Sequence, residues 1–134
     1  MNRRILVGVF GTAAYLVLAL ALVGCASVSE QSHAYLNSPR VAPTSPDRVA
    51  LLTGEPTRPK DRLGEVRLTI EGEPSRDDIE AKLRGGAAKL GADAVFVVYD
   101  RIHVIPIVYA GWYGPVGVSE ARRREIVGIA VKYR

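Results

Sequence analysis

The sequence predicts an α+β fold in which one helix packs on a mostly antiparallel four-stranded sheet, in the order β-β-α-β-β. Apolar and polar residues alternate over Leu63–Ile70, and a helical stripe of apolar residues follows between two helix-boundary signals. A run of β-branched and aromatic residues then begins at Ala94. With 134 residues, the chain has room for one such domain.

Four strands are predicted from their apolar patterns. Val49–Thr53 is a short apolar run, and a loop rich in Pro and Gly follows it. Leu63–Ile70 has a period of two, which is typical of a strand with one solvent-facing side. The continuous run Ala94–Tyr99 predicts a central strand, and its continuation through Pro106 requires an edge position, a bulge or a strand end. The last strand is predicted over Glu125–Tyr133.

The helix is predicted between Ser75 and Gly91. Ser75 suits the N-cap, and Asp78 three residues later completes a pair that resembles a capping box. Gly91 suits the left-handed residue that ends many helices. Gly85 and Gly86 each cost about 1 kcal/mol relative to Ala in a helix, so they are predicted to permit close packing on the sheet. The apolar face of the helix is formed by Ile79, Leu83, Ala87 and Leu90.

Residues 1–24 are predicted to be an export signal that is removed from the mature protein. Arg3 and Arg4 make a basic start, and no charged residue occurs over Ile5–Val23. A basic start, an apolar stretch and an exit of small residues form the pattern of a secretory signal. The competing interpretation is an uncleaved membrane anchor, because the apolar stretch is close to the roughly 20 residues that an anchor needs.

The exit of this segment, Leu22-Val23-Gly24-Cys25, resembles the lipobox of bacterial lipoproteins. The resemblance implies cleavage before Cys25 and attachment of three acyl chains to it, so a membrane is the predicted partner. Cys25 is the only cysteine, which excludes an intrachain disulfide. The resemblance also predicts the outer membrane, facing the periplasm, because Asp after the lipidated Cys retains enteric lipoproteins in the inner membrane and this chain has Ala26.

Residues 25–47 are predicted to form the lipidated Cys and a flexible tether, and residues 48–134 a small periplasmic domain. Ser, Pro, Thr and Asn dominate Ala26–Asp47, and apolar periodicity is absent there. The whole chain has 18 Lys and Arg against 14 Asp and Glu, and Arg3 and Arg4 belong to the signal. So small a basic excess argues against a nucleic-acid partner.

The stretch Leu52–Tyr133 resembles a group of small bacterial envelope domains, which includes a family named for heavy-metal binding and the sensor lipoprotein of the Rcs envelope-stress phosphorelay. The resemblance implies the fold and the envelope setting. The stress sensor depends on disulfides and metal-binding relatives need His or Cys clusters, and the domain lacks both. No specific activity is therefore implied. The residues that carry the resemblance are Pro56–Pro59, Leu63–Val66, Ala87–Val95 and Val127–Ala130.

No catalytic, metal or cofactor site is predicted, and the domain is expected to be non-enzymatic. His33 and His103 are the only histidines, whereas a zinc site needs three or four ligands at fixed spacing. Asp93 follows the helix end, where Asp commonly accepts backbone hydrogen bonds. The Ser and Thr residues lack a His partner for nucleophilic catalysis. The acidic residues of the first helical turn suit its positive end: Asp77, Asp78 and Glu80.

The run Gly111–Gly117 is predicted to be the turn at the tip of a long hairpin, and aromatic and basic residues near it are the candidates for partner contact. The rings of Tyr109, Trp112 and Tyr113 either meet a partner or a membrane interface, or fold back over the sheet. The run Arg122-Arg123-Arg124 either meets envelope phosphates or carboxylates, or is a solvated strand entry.

In the solvated case the predicted ion-pair partners of these arginines are Glu120 and Glu125, which flank them in the sequence. The function expected from all these features is that of a binding or sensing module that contacts an envelope protein or the cell wall. The alternative is a lipoprotein that scaffolds the envelope.

Overall fold

The structure is a computed structural model that describes residues 26–112, 114 and 117–134. The predicted signal, the lipobox with Cys25, and Tyr113 lie outside these residues. The elements in chain order are β1 (Ser27–Ala34), a short 3-10 turn (Pro46–Arg48), β2 (Ala50–Leu52), β3 (Lys60–Glu71), α1 (Arg76–Lys89), β4 (Ala94–Tyr109) and β5 (Gly117–Tyr133).

The strands form one mixed sheet in the order β1-β3-β5-β4-β2. Neighbouring strands are antiparallel except β2 and β4, which are parallel. The α+β class with one helix on the sheet is therefore confirmed. The predicted number of strands is wrong, because the sheet has five strands and not four.

The additional strand is β1, where the sequence predicted a flexible tether. Ser27 lies opposite Glu71 and Ala34 opposite Gly64, so β1 lines the outer edge of β3. Lys89 Nζ donates to Glu30 Oε2 at 2.5 Å and ties the strand to the end of α1. Burial opposes ionisation of Glu30, but hydrogen bonds from Lys89 and Ser32 outweigh it and hold the pKa of Glu30 below its ordinary value.

The remainder of the predicted tether also contacts the domain. Val41 packs against the buried core, and the Thr44 N–H donates to the Ala88 carbonyl at 2.9 Å. β1 has few apolar residues, and Val28 packs against the core, so its order comes mainly from backbone pairing with β3 and from the Glu30–Lys89 ion pair. Neither interaction leaves an apolar period in the sequence, which is the physical reason the strand was missed.

Helix α1 begins and ends where its sequence signals predict. Ser75 Oγ accepts from the Asp78 N–H at 3.1 Å, and Gly91 takes a φ of +78° directly after the C-cap residue. Leu83 and Ala87 are buried against the sheet, and Ile79 and Leu90 pack beside them. Ser75 Oγ also donates to Asp78 Oδ2 at 2.7 Å, so the predicted pairing of Ser75 with Asp78 and the apolar stripe are confirmed.

The core has two layers, one on each face of the sheet. On the helix side, the fully buried side chains include Val66, Leu68 and Val95, each of which stabilises the fold by about 1.5–3 kcal/mol. A smaller cluster lies on the opposite face, and the Arg58 guanidinium, from the loop between β2 and β3, lies 4.2 Å from the centre of the Tyr133 ring beside it. This smaller cluster contains Ala94, Phe96, Ile129, Val131 and partly Leu52.

Strands β4 and β5 extend well beyond the rest of the sheet. β3 ends at Glu71, which lies opposite Arg123 of β5, and β2 ends at Leu52 opposite Phe96. Beyond Glu71, the residues Val104–Tyr109 and Gly117–Arg122 pair only with each other. We call this two-stranded projection the arm. Pro106 lies in it, on a stretch of β4 without a second neighbour, so the edge position is the one of the three predicted alternatives that the structure shows.

The two helical glycines have different surroundings, which gives a test of the helix–sheet contact. A Cβ on Gly86 would lie 2.5 Å from Val66 Cγ1 and 2.8 Å from Ser32 Oγ, whereas a Cβ on Gly85 meets nothing within 4 Å. Val66 is β-branched and fully buried, so it has little room to move.

We expect Gly86→Ala to lower the free energy of unfolding by about 1–3 kcal/mol through overpacking. Gly85→Ala should raise it by about 0.5–1 kcal/mol, because Ala restricts the unfolded chain and favours the helix. Urea denaturation followed by circular dichroism measures both changes. Equal effects of the two substitutions would contradict the close approach at Gly86.

Candidate binding surface

The arm exposes apolar side chains on both of its faces. Side chains alternate along a strand, so Val104, Val108 and Val118 share the helix side of the sheet with Ile126. The opposite face of the arm carries Ile105, Ile107 and Tyr109. All of these are exposed, with 66% of Val108 accessible to solvent. Contiguous exposed apolar surface of this kind marks interaction sites on proteins.

The arm contains few charged residues, which agrees with its apolar surface. From Ile102 to Ala121, Glu120 is the only Asp, Glu, Lys or Arg residue. The arginines lie at the base of the arm, where it joins the sheet: Arg101, Arg122, Arg123 and Arg124.

The aromatic residues of the tip take two different positions. Tyr109 lies opposite Gly117, and its ring occupies the space over that glycine, where a Cβ would come within 2.3 Å of the ring. Trp112 is 90% exposed. Tyr113 lies outside the described residues. Trp112 is therefore exposed and Tyr109 covers the cross-strand glycine, while contact of these rings with a partner stays a prediction.

The basic run is paired, but with different acids from those predicted. Arg124 donates to both Asp100 oxygens, at 2.7 and 2.6 Å, and the hydrogen bonds from Arg124 hold the pKa of Asp100 below its ordinary value. Arg123 Nη2 lies 3.1 Å from Glu71 Oε1. The predicted pairing of this run with Glu125 is wrong, because residues on the two strands beside Glu125 contact its carboxylate instead. Arg67 Nη1 lies 3.0 Å from Glu125 Oε1, and His103 Nε2 lies 3.9 Å from Glu125 Oε2.

Arg122 and Arg124 also line an open cleft between the base of the arm and the start of α1. Its volume is about 710 Å³, and its walls include Ile70, Ile79 and Ile102. A second cleft of about 810 Å³ continues along α1 toward β2. Both clefts combine apolar walls with charged rims, which is a surface suited to an extended partner and not to a small enclosed ligand.

The remaining candidate residues have structural surroundings. His103 Nε2 lies 3.2 Å from Tyr99 Oη on the face away from the helix, and His33 lies on β1. Within residues 26–112, 114 and 117–134, no group of three or more His, Cys, Asp or Glu residues is arranged to hold a metal. Asp77 and Asp78 occupy the first turn of α1, as the sequence predicts.

Asp93 joins the end of α1 to the end of the last strand, β5. Its Oδ1 accepts from Lys132 Nζ at 2.7 Å, and its Oδ2 accepts from the Tyr133 N–H at 3.0 Å. Burial opposes ionisation of Asp93, but these two hydrogen bonds outweigh it and lower the pKa of the carboxyl below its ordinary value. The predicted acceptor role of Asp93 is confirmed.

Comparisons with known proteins assign no family to this chain. No family model matches it, and no curated protein shows significant similarity. One solved structure with similarity is the Francisella virulence factor FvfA in its orthorhombic form, at 17% identity and a TM-score of 0.48. That alignment covers 78% of this chain and 97% of FvfA. The resemblance to the heavy-metal-binding and stress-sensor group stays a prediction.

Among the helices of the described residues, none has the length and apolar character to cross a bilayer.

The hydrogen bonds of Asp93 predict a pH-dependent contribution to stability. A carboxyl whose pKa is lowered by folding stabilises the native state above its unfolded pKa, and that stabilisation is lost as the pH falls through the folded pKa. We expect Asp93→Asn to lower the free energy of unfolding by about 1 kcal/mol at pH 7, because both acceptor bonds weaken at a partly exposed site.

The difference between the wild type and Asp93→Asn should narrow as the pH falls below about 4. Denaturation at a series of pH values measures it. Glu73→Gln, in the exposed loop before α1, is the matched control and should change stability little at any pH. A difference between wild type and Asp93→Asn that does not change with pH would contradict the role given to the ionised carboxylate.

Proposed function

We propose that this protein is a lipid-anchored envelope lipoprotein whose domain is a non-enzymatic binding or sensing module. The observation that carries the proposal is the sequence Leu22-Val23-Gly24-Cys25 placed directly before strand β1, which begins at Ser27. In this proposal, acyl chains on Cys25 hold the domain at the outer membrane, facing the periplasm. One residue, Ala26, then separates the lipid from the sheet.

The arm supports the binding part of the proposal. Its apolar side chains are exposed, so removing them from water requires a partner. The cleft beside it adds arginine side chains that suit phosphate or carboxylate groups. The residues proposed for contact are Tyr109, Trp112, Tyr113, Arg122, Arg123 and Arg124.

The anchor is tested by Cys25→Ser in the full chain expressed in an enteric bacterium. We expect the wild type in the membrane fraction, with a mature N-terminus at an acylated Cys25 by mass spectrometry. The variant should accumulate as a precursor that retains residues 1–24, because the acyl acceptor is missing. A wild-type protein with an unmodified Cys25 thiol would overturn the proposal.

Ala26→Asp is the matched control, since it leaves the lipobox intact. We expect it to be acylated and processed like the wild type, but to move from the outer to the inner membrane fraction on a sucrose gradient. Loss of acylation in Ala26→Asp would show that the effect of Cys25→Ser is not specific to the thiol. Equal distribution of the wild type and Ala26→Asp would contradict the outer-membrane assignment alone.

A further inference from the structure

The starting point is the direction in which the arm projects. The register places Ser27, Glu71, Arg123 and His103 in one row across four neighbouring strands. β1 runs away from this row into the sheet, so Ala26, which precedes it, lies at the same end from which the arm projects. Ser27 and Arg123 are two strand spacings apart, which is about 10 Å. The proposed lipid site and the base of the arm are therefore close neighbours.

The short connection to Cys25 prevents the domain from moving away from the lipid. Only Ala26 separates Cys25 from Ser27 in the sequence, and one residue spans at most about 3.6 Å of chain. Ala26 is itself packed against Gly72, where a Cβ would lie 3.2 Å from the Ala26 Cα. Beyond the row, the arm continues over the pairs from Val104–Arg122 to Tyr109–Gly117, which is about 20 Å of strand.

We infer that the apolar arm contacts the lipid bilayer that holds Cys25. The arm lies obliquely in the headgroup interface, with Trp112 at the level of the upper acyl chains. This inference rests on the proposed lipidation of Cys25. An arm that starts beside the acyl chains and points past them meets the membrane surface, and its exposed side chains are apolar on both faces.

The edges of the arm explain why it lies in the interface and does not cross the hydrocarbon. Past the end of β3, the outer edges of both arm strands have no neighbour among the described residues, so their backbone groups need water or headgroups as partners. Trp and Tyr favour the same interfacial depth. Arg101, Arg122 and Arg123 lie at the base of the arm, beside the row that contains Ser27, within reach of lipid phosphates.

Trp112 is the only tryptophan, so intrinsic fluorescence reports directly on the arm. The mature wild-type protein, with its N-terminus first determined by mass spectrometry, is reconstituted at low density in vesicles of phosphatidylethanolamine with phosphatidylglycerol as the minor component. We expect a blue-shifted emission. Lipids brominated near the headgroup end of the acyl chain should quench Trp112 more strongly than lipids brominated near the terminal methyl.

Val108→Asp and Val98→Asp form a matched pair of variants. Both valines are exposed on β4. Val108 lies near the tip of the arm, whereas Val98 lies outside the arm, where the register between β4 and β5 shifts from Val97 to Tyr99. We expect Val108→Asp to lose most of the quenching by brominated lipid, because it places a carboxylate on the surface that meets the bilayer. Val98→Asp should keep the quenching of the wild type.

Each of the other possible outcomes refutes either the membrane contact of the arm or the proposed function. Acylated protein whose Trp112 is quenched by aqueous iodide, and not by brominated lipid, refutes the inference and leaves the proposed function intact. A blue shift that grows with protein density in unbrominated vesicles refutes it in favour of pairing between arms of two copies. Equal quenching in Val108→Asp and the wild type refutes contact through the apolar face. An unmodified Cys25 refutes the proposed function itself, and the inference with it.

Discussion

The antiparallel ladder between β3 and β5 is the interaction on which the rest of the structure depends. It runs from the pair Lys60–Tyr133 to the pair Glu71–Arg123, and β1, β4 and α1 attach to it directly, whereas β2 attaches through β4. β1 pairs with the free edge of β3, and β4 pairs with the free edge of β5. Helix α1 packs across one face of the ladder. Val66, Leu68 and Ala130 on this face are completely buried. Breaking the ladder would therefore separate the two halves of the sheet and remove the apolar surface on which the helix packs.

The unequal lengths of the strands in this ladder also produce the candidate binding surface. β5 begins at Gly117, but β3 ends at Glu71, so the first residues of β5 have only β4 beside them. β2 is too short to cover the other edge. The exposed apolar side chains of the arm are thus a consequence of topology, because no element of the described chain lies above or beside them. Their burial requires something outside the domain.

The carboxylates of the domain mainly hold its strands and helix together. Glu30 ties β1 to α1, Asp93 ties the helix end to the last strand, and Asp100 clamps Arg124 across the base of the arm. Local sequence does not show these pairs, since their partners lie 59, 39 and 24 residues away. The same reason accounts for the wrong partners assigned to the arginine run: neighbours in sequence on a strand point to opposite faces, whereas residues on adjacent strands face each other.

Local patterns were enough to predict the helix with its caps, four of the strands and the antiparallel pairing of the last two. Each depends on residues a few positions apart, and the apolar period records which side is buried. Tertiary structure alone decided that Ser27–Ala34 is a strand, that β2 is parallel to β4, and that the arm projects from the end of the sheet where β1 begins. These features depend on which distant strand edges meet, and backbone hydrogen bonds of that kind leave no periodic trace in the sequence.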